Sequence, residues 1–320
     1  DSTAWAAYNA ERTSGLDVRG YYGGAFDGRY VYFVPRYDGK THHSRVLRYD
    51  TRGGFNDPAS WVVHDAGMPI SYQGCAFDGR YLFFCPGYDQ RRIRANDNRD
   101  QDNSGVVLRY DTQGDFNAPS SWATHDVEGM GGLPTAGYDG AAFDGRYIHF
   151  APLNMGVALR YDTHGAFDDP ASWSCQDLRP LGVKRCVGII FDGRFLYYCP
   201  YEDTSVVVRL DARADYNNAK SWSVYEAGRT NGLLTIGFDG GAFDGRYVYF
   251  IPFLYRGSSY HANVLRYDTQ QDFLDPRAWS AHDASAVDGL RTIGYNGGTF
   301  DGRYFYFAPW QGGIGYPKSI

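Results

Sequence analysis

Hydrophobic and polar residues alternate in short runs along most of the chain, and the runs recur in a fixed order. A Gly-rich run ends at Phe26, Phe77, Phe143, Phe191, Phe243 and Phe300. Asp-Gly-Arg follows each, then an aromatic and β-branched run such as Tyr30-Val31-Tyr32-Phe33-Val34. This second run stops at Pro35, Pro86, Pro152, Pro200, Pro252 or Pro309, where a ladder donor is lost. Five of the six pairs continue into an Arg-Tyr/Leu-Asp run, at Arg48-Tyr49-Asp50, Arg109-Tyr110-Asp111, Arg160-Tyr161-Asp162, Arg209-Leu210-Asp211 and Arg266-Tyr267-Asp268. Segments such as Phe55-Asn56-Asp57-Pro58-Ala59-Ser60 then lead to Trp61, Trp122, Trp173, Trp222 or Trp279, each opening a fourth run. Period-two patterning over such short runs predicts strands. Asp-Gly predicts a two-residue type I′ hairpin between the first and second, because both residues tolerate positive φ.

Four strands repeated roughly every 50 residues is the pattern of a β-propeller blade. The chain is expected to be all-β, a six-bladed β-propeller of four-stranded blades forming one domain over residues 1–320. The blades are expected to start near residues 20, 71, 137, 185, 237 and 294. The fourth strand missing from the last unit has a counterpart at the N-terminus, where Trp5 to Leu16 parallels Trp222 to Leu233. Residues 1–10 are therefore expected to supply the outer strand of the last blade and close the ring. No Arg-Tyr-Asp run follows Pro309, so the third strand of that blade is expected to be irregular or truncated.

Composition narrows the class further. Aromatics make up 17% of residues and charged groups only 21%, which excludes a disordered chain and argues against a helical bundle. The acids are almost all Asp, with only Glu11, Glu128, Glu202 and Glu226 as Glu, and Asp belongs to turns rather than helix surfaces. A net charge of −6 gives no support for nucleic-acid binding. No apolar run reaches the ~18–20 residues of a membrane span, and no signal-like start is present.

No WD or kelch signature recurs. The stretch from Tyr110-Asp111-Thr112-Gln113-Gly114 to Trp122 resembles a loosened Asp box of sialidases, in which the Asp and Trp fix a turn. The whole chain resembles a bacterial six-bladed propeller family built on Phe-Asp-Gly-Arg-Tyr and Arg-Tyr-Asp-Thr units. No known activity attaches to that family, so the resemblance implies fold alone.

Residues present in every unit are expected to be scaffold. The six Arg after Asp-Gly (Arg29, Arg80, Arg146, Arg194, Arg246, Arg303) are expected to pair with a neighbouring turn Asp or carbonyl. His64, His125 and His282 share one outer-strand position and are expected at the surface. Function is expected where the units differ. Four residues before each Phe stand Tyr22, Gln73, Asp139, Val187, Asp239 and Asn296, expected to ring one channel mouth. Gln73, Asp139, Asp239 and Asn296 are candidate oxygen ligands for Ca²⁺ in the central channel, in an arrangement similar to that of six-bladed calcium-dependent lactonases. The alternative is a solvated polar channel.

A second set lies in the loops after the second strands. His43 and His261 occupy equivalent positions and are candidates for ligand binding or general acid–base chemistry. Tyr37, His42, Phe253, Tyr255, Tyr260, Trp310 and Tyr316 accompany them and suit a sugar or other small organic ligand, unless they pack on one another. Arg19, Lys184 and Arg185 are candidate contacts for an anionic group. The polar insertion at residues 87–105 is read as a lid or partner loop. Its Asp100-x-Asp102-x-Ser104 stretch, with Asp111 as twelfth position, is read as a chance likeness to a calcium loop. A two-residue turn pairing Phe191 with Arg194 sets Cys186 opposite Cys199 and Cys85 opposite Tyr72. A disulfide between Cys186 and Cys199 is predicted, with export to an extracellular or periplasmic setting.

No nucleophile elbow, phosphate loop, dinucleotide fingerprint or His-Glu-x-x-His is present. Three functions stay open. One is a secreted propeller binding a glycan or small organic ligand. The second is a metal-assisted hydrolase or a His/Tyr polysaccharide lyase. The third is a structural module of an extracellular assembly.

Overall fold

In a computed structural model of the chain, residues 4–93, 102–255 and 259–310 are described. Five four-stranded antiparallel sheets follow one another, each with its strands in chain order. The first comprises Tyr21–Phe26, Tyr30–Pro35, Arg45–Asp50 and Trp61–Asp65. The second comprises Ile70–Phe77, Tyr81–Asp89, Val106–Asp111 and Trp122–Asp126, and the third Tyr138–Phe143, Tyr147–Pro152, Val157–Asp162 and Trp173–Asp177. The fourth comprises Cys186–Phe191, Phe195–Pro200, Val206–Asp211 and Trp222–Glu226, and the fifth Phe238–Phe243, Tyr247–Pro252, Asn263–Asp268 and Trp279–Asp283. A sixth sheet is described through two strands, Tyr295–Phe300 and Phe305–Pro309. These are the blades of a β-propeller, as the repeat predicts.

The chain divides into two compact units, residues 1–148 with 161–173, and residues 149–160 with 174–320. In the first unit the first strands of sheets one, two and three lie side by side; in the second, those of sheets four, five and six do. Glycine makes this approach possible. A Cβ on Gly74 (φ +90) would stand 3.1 Å from Gly140 Cα, and one on Gly188 (φ +81) 2.9 Å from Gly240 Cα.

The hairpin between first and second strands differs from the predicted type I′ turn on Asp-Gly. In the fourth sheet Asp192 N–H donates to Phe195 O, so Gly193 and Arg194 are the central pair. The Asp192 carboxylate accepts the N–H groups of Arg194 (2.8 Å) and Phe195 (2.6 Å). The same Asp bonding recurs at Asp27, Asp78, Asp144, Asp244 and Asp301. The Gly takes φ near +100 in all six turns, a conformation that costs a Cβ-bearing residue strain.

That one-residue displacement of the turn centre moves the pairing by two. Phe191 faces Leu196, and a bulge between Cys186 and Ile189 then sets Cys186 opposite Pro200. The predicted Cys186–Cys199 disulfide does not form: both are buried thiols, as is Cys85, while Cys75 and Cys175 are half-buried and in no disulfide. For the same reason Tyr72 faces Pro86 rather than Cys85, and Cys75 faces Phe84.

The repeat residues build the scaffold. Arg29, Arg80, Arg146, Arg194 and Arg246 each pair with the Asp ending the third strand, at 2.6–2.8 Å. The third-strand Arg lies between two rings, its own sheet's and the next one's: Arg48 over Tyr30 and Phe116, Arg109 over Tyr81 and Phe167, Arg209 over Phe195 and Phe273. Each fourth-strand Trp indole N–H is bonded to a carbonyl six residues earlier, from Trp61 with Phe55 to Trp279 with Phe273. The Asp57, Asp169 and Asp275 carboxylates cap the turn before their Trp, whereas Ala118 holds that place before Trp122 without a side-chain cap.

The outer-strand histidines correct the surface expectation. His64 stacks on Trp122 at 4.2 Å and His125 on Trp173 at 5.0 Å, half-buried plates between sheets, whereas His282 is exposed. Tyr225 plays the same part against Trp279 at 4.3 Å.

Among residues 4–10 no strand forms. Tyr8 nonetheless stacks on Trp61 at 4.7 Å, the place His64 takes on Trp122. Ser14 (φ +55) occupies the conformation of Asn231 (φ +51) and Asp288 (φ +52). Ser14 Oγ accepts the Val63 N–H as Asn231 Oδ1 accepts that of Ala281. The N-terminal segment thus repeats, on the first sheet, the contacts made by the end of a preceding repeat.

Candidate functional site

The loop after the second strand of the first sheet is folded tightly by local polar chemistry. Gly20 O accepts the N–H groups of Arg36 (2.9 Å) and Tyr37 (3.2 Å). Gly20 itself has φ +70, and a Cβ there would collide with the Tyr37 carbonyl, so only Gly fits. Asp38 turns the loop by accepting the N–H groups of Lys40 and Thr41 and pairing with Arg45 at 3.1 Å. Burial alone would raise the Asp38 carboxyl, but those N–H groups and the Arg45 charge outweigh it and hold it at about 2. Tyr37 and His42 face each other across an isolated bridge, rings 5.1 Å apart, and the His42 ring lies 5.5 Å from Tyr88. Gln90, from the second sheet's extension, accepts the His42 N–H at 3.0 Å.

Gly20, Tyr21, Arg36, Tyr37 and His42 line an open cavity of about 390 Å³. Its groups are of mixed character. The Arg36 guanidinium lies over the Tyr22 ring at 4.4 Å, Tyr37 is 43% exposed, and the His42 Nδ1 is buried without a partner. Burial, reinforced by the Arg36 charge, pushes His42 down to about 4, so the ring is neutral at pH 7. A second cavity, about 420 Å³, lies between the second and third sheets and is lined by Asp78, Tyr81, Phe83, Arg109, Tyr161 and Phe167. Those are repeat positions with structural work, so the first cavity, where Arg36, Tyr37 and His42 come from a loop that differs between units, is the stronger candidate.

His43 sits beneath the loop and is 3% exposed. Its Nε2 lies 2.8 Å from Arg19 O, and its Nδ1 accepts the Arg45 N–H at 3.2 Å. His261 repeats this in the second unit, with Nε2 2.9 Å from Gly237 O and Nδ1 accepting from Asn263. Both rings therefore hold the neutral tautomer with the proton on Nε2, and burial lowers both pKa values. Each histidine ties the loop leaving the second strand to the chain approaching the first. Neither keeps a nitrogen for a substrate proton.

In the second unit, Leu254–Tyr255 pairs with Ser259–Tyr260 in a small hairpin. Tyr260 meets Phe253 at 5.6 Å and abuts Gly294, Tyr255 lies 6.2 Å from His261, and Trp310 N–H donates to Gly294 O. Phe253, Tyr255 and Tyr260 thus have ring neighbours, whereas Trp310 is 49% exposed. Arg185 pairs with Glu202, and Lys184 is exposed. Arg19, in the first unit, is engaged by Asp17 through two bonds of 2.9–3.0 Å. Two of the three expected cationic contacts are thus already neutralised. Tyr316 lies outside the described residues.

Of the residues expected to ring a channel mouth, Gln73, Asp139, Val187 and Asp239 are buried. Gln73 is 1% exposed and its amide nitrogen has no partner; Asp139, also in the first unit, is 6% exposed. In the second unit the Asn296 amide donates to Asp239 at 2.8 Å. Among the described residues no three His, Cys, Asp or Glu side chains converge as a metal site would require. Asp239 is already served by an amide donor, which does not fit the expected Ca²⁺ site. Of the insertion, Asp102 and Ser104 are buried, and Asp100 lies outside the described residues.

Sequence reasoning named Tyr37 and His42 but missed Arg36 and Tyr21. Arg36 follows the second-strand Pro directly, and only this unit carries an Arg there. No known protein family matches the chain, and no curated protein is similar to it. A crystal structure of a nidogen/laminin complex is similar over 82% of this chain and 82% of that chain, with 15% identity and a TM-score of 0.46.

Proposed function

We propose that the protein is a binding propeller that takes a small organic ligand, with a glycan as the favoured class, in the cavity formed by Gly20, Tyr21, Arg36, Tyr37 and His42. The observation that carries this reading is the composition of that cavity. An exposed Tyr ring, a guanidinium and a neutral imidazole with a buried free nitrogen converge on a space of about 390 Å³. Aromatic faces pack on the C–H surface of a sugar, while Arg and His supply the few oriented polar contacts that such sites use. Arg36 favours sugars bearing a carboxylate or sulfate. The His/Tyr lyase reading loses support, because the nitrogens of His43 and His261 are bonded to backbone. The cysteine register also withdraws the support a disulfide gave to an extracellular setting.

A glycan array followed by calorimetry tests the proposal. A binder should emerge whose affinity falls about ten-fold or more in Tyr37→Ala and Arg36→Ala. It should be unchanged in Leu274→Ala, a 59% exposed side chain outside the cavity. Binding that ignores both cavity substitutions, or turnover of an arrayed glycan, would overturn it.

A further inference from the structure

We propose that the cavity between the second and third sheets is a second binding site, one that takes a small organic ammonium. It lies wholly within the first unit and shares no residue with the cavity of Gly20, Arg36 and His42, so the proposal is independent of the glycan reading. Its walls are repeat positions, but two of them depart from the repeat, and those departures make the space.

The first departure is Phe83. Six residues beyond each first-strand Phe stand Tyr32, Phe83, His149, Tyr197, Tyr249 and Tyr306, so Phe83 alone carries no polar atom there. The hydroxyls of Tyr32 and Tyr197 donate to Asp27 and Asp192 at 2.7 Å, and that of Tyr306 donates to Asp301 at 2.9 Å. Asp78 keeps the two turn N–H bonds, both on Oδ1, and no donor reaches its Oδ2 among the described residues. The second departure is Ala123. It is the smallest side chain to follow a fourth-strand Trp, against Val62, Ser174, Ser223 and Ser280. Val62 packs on the core between the first and second sheets, and Ala123 lacks its methyl groups. What is left is a space of about 420 Å³, open to water past the exposed Thr124, Ala166 and Asp168.

The groups on the wall decide what fits. Phe83, Tyr161 and Phe167 supply apolar surface, their ring centroids 5.5–6.1 Å apart. Most polar neighbours are already engaged. The Arg109 guanidinium is seated over Tyr81 and Phe167 at 4.4 and 4.3 Å. The Tyr161 hydroxyl donates to Gly165 O at 2.9 Å and the Thr163 hydroxyl to Arg146 O at 2.6 Å. Asp78 Oδ2 and the exposed Asp168 remain, and an ionised carboxylate only accepts. The ligand must therefore donate. An anion is repelled, and a charged donor holds a carboxylate more strongly than a neutral one. An ammonium on a short apolar body meets these demands: its N–H groups replace the missing Tyr hydroxyl, and its body covers the rings.

The probe is phenylethylammonium, titrated into the full-length protein at neutral pH and followed by calorimetry. Phenylethanol and phenylpropionate serve as neutral and anionic counterparts. The ammonium should bind with a Kd of about 1 mM or below, the alcohol about three- to ten-fold more weakly, and the carboxylate not measurably. Phe83→Tyr restores the hydroxyl the repeat uses and should weaken the ammonium about ten-fold or more. A urea midpoint at or above that of the parent shows that this variant is folded. Ala123→Val, which copies the first sheet, should weaken the ammonium as well and decides the matter if Phe83→Tyr unfolds. Asp78→Asn should reduce the ammonium to the affinity of the alcohol. No binding at about 10 mM ammonium, equal affinity for ammonium and alcohol, or affinity unchanged by filling the cavity would each overturn the proposal. The glycan assay reads a different cavity, so failure of one leaves the other standing.

Discussion

The turn carboxylate of the fourth sheet offers the sharpest test of how the scaffold is held. Asp192 accepts three hydrogen bonds: from Arg194 N–H at 2.8 Å, Phe195 N–H at 2.6 Å and the Tyr197 hydroxyl at 2.7 Å. The two N–H groups belong to a turn that water reaches, so losing their acceptor costs about 0.5–1 kcal/mol each. Tyr197 is 0% exposed, and stranding its hydroxyl adds about 1–3 kcal/mol. Asp192→Ala should therefore destabilise by about 2–5 kcal/mol. The second sheet provides a built-in control, because Phe83 stands where Tyr197 does and leaves Asp78 only its turn bonds. Asp78→Ala should cost about 1–2 kcal/mol. Adding Tyr197→Phe to Asp192→Ala should recover most of the difference, since it removes the stranded hydroxyl. Urea unfolding of the four proteins, followed by tryptophan fluorescence, gives the free energies. Equal losses for Asp78→Ala and Asp192→Ala, or a further loss on adding Tyr197→Phe, would refute the reasoning.

Two more outcomes follow from the geometry. Gly193→Ala meets open space and should cost only the backbone strain of φ +97, about 1–2 kcal/mol. Gly188→Ala must also displace the Gly240 backbone 2.9 Å away and should cost about 2–5 kcal/mol, so similar urea midpoints would contradict the close approach of the first strands. For pH, His42 is held at about 4 in the folded chain against about 6.5 unfolded, so the unfolded chain binds more protons between those values. Stability should be full above pH 6.5 and fall as pH drops toward 4, by on the order of 1 kcal/mol once solvent screening is allowed for. His42→Phe should flatten that interval, and an unchanged slope would count against a buried neutral ring. Below it, the Arg-paired Asp carboxylates take over, their lowered pKa values keeping their contribution until still more acid conditions.

The blades were legible because each level of the sequence repeats the same instruction. Phe-Asp-Gly-Arg, the stopping Pro, Arg-Tyr-Asp and the Trp each mark one strand end, and every strand predicted in the five complete units is present. The register was not legible. Asp-Gly in isolation reads as the centre of a two-residue turn, but the Asp side chain takes the two following N–H groups and moves the centre to Gly-Arg. A one-residue error in the turn misplaced Cys186 and Cys199, the pairing on which the disulfide rested. The histidines failed for a different reason. His43 and His261 stand out because they differ from other units, yet difference also marks a loop that needs its own strut. Arg36 was not legible because the residue just beyond the second-strand Pro belongs to no recurring motif and differs in every unit.

The stacking of Tyr8 on Trp61 bears on how the chain is made. Every such plate-on-Trp contact in the first unit joins residues about one repeat apart, and the N-terminal pair is no exception. A ribosome releases the N-terminus first, so the first sheet meets its own cover as soon as Trp61 emerges. Because that cover lies within local reach in sequence, the loop that must close is short and its entropic cost small. The tryptophan face of the nascent first blade is shielded while the rest of the protein is still being synthesised.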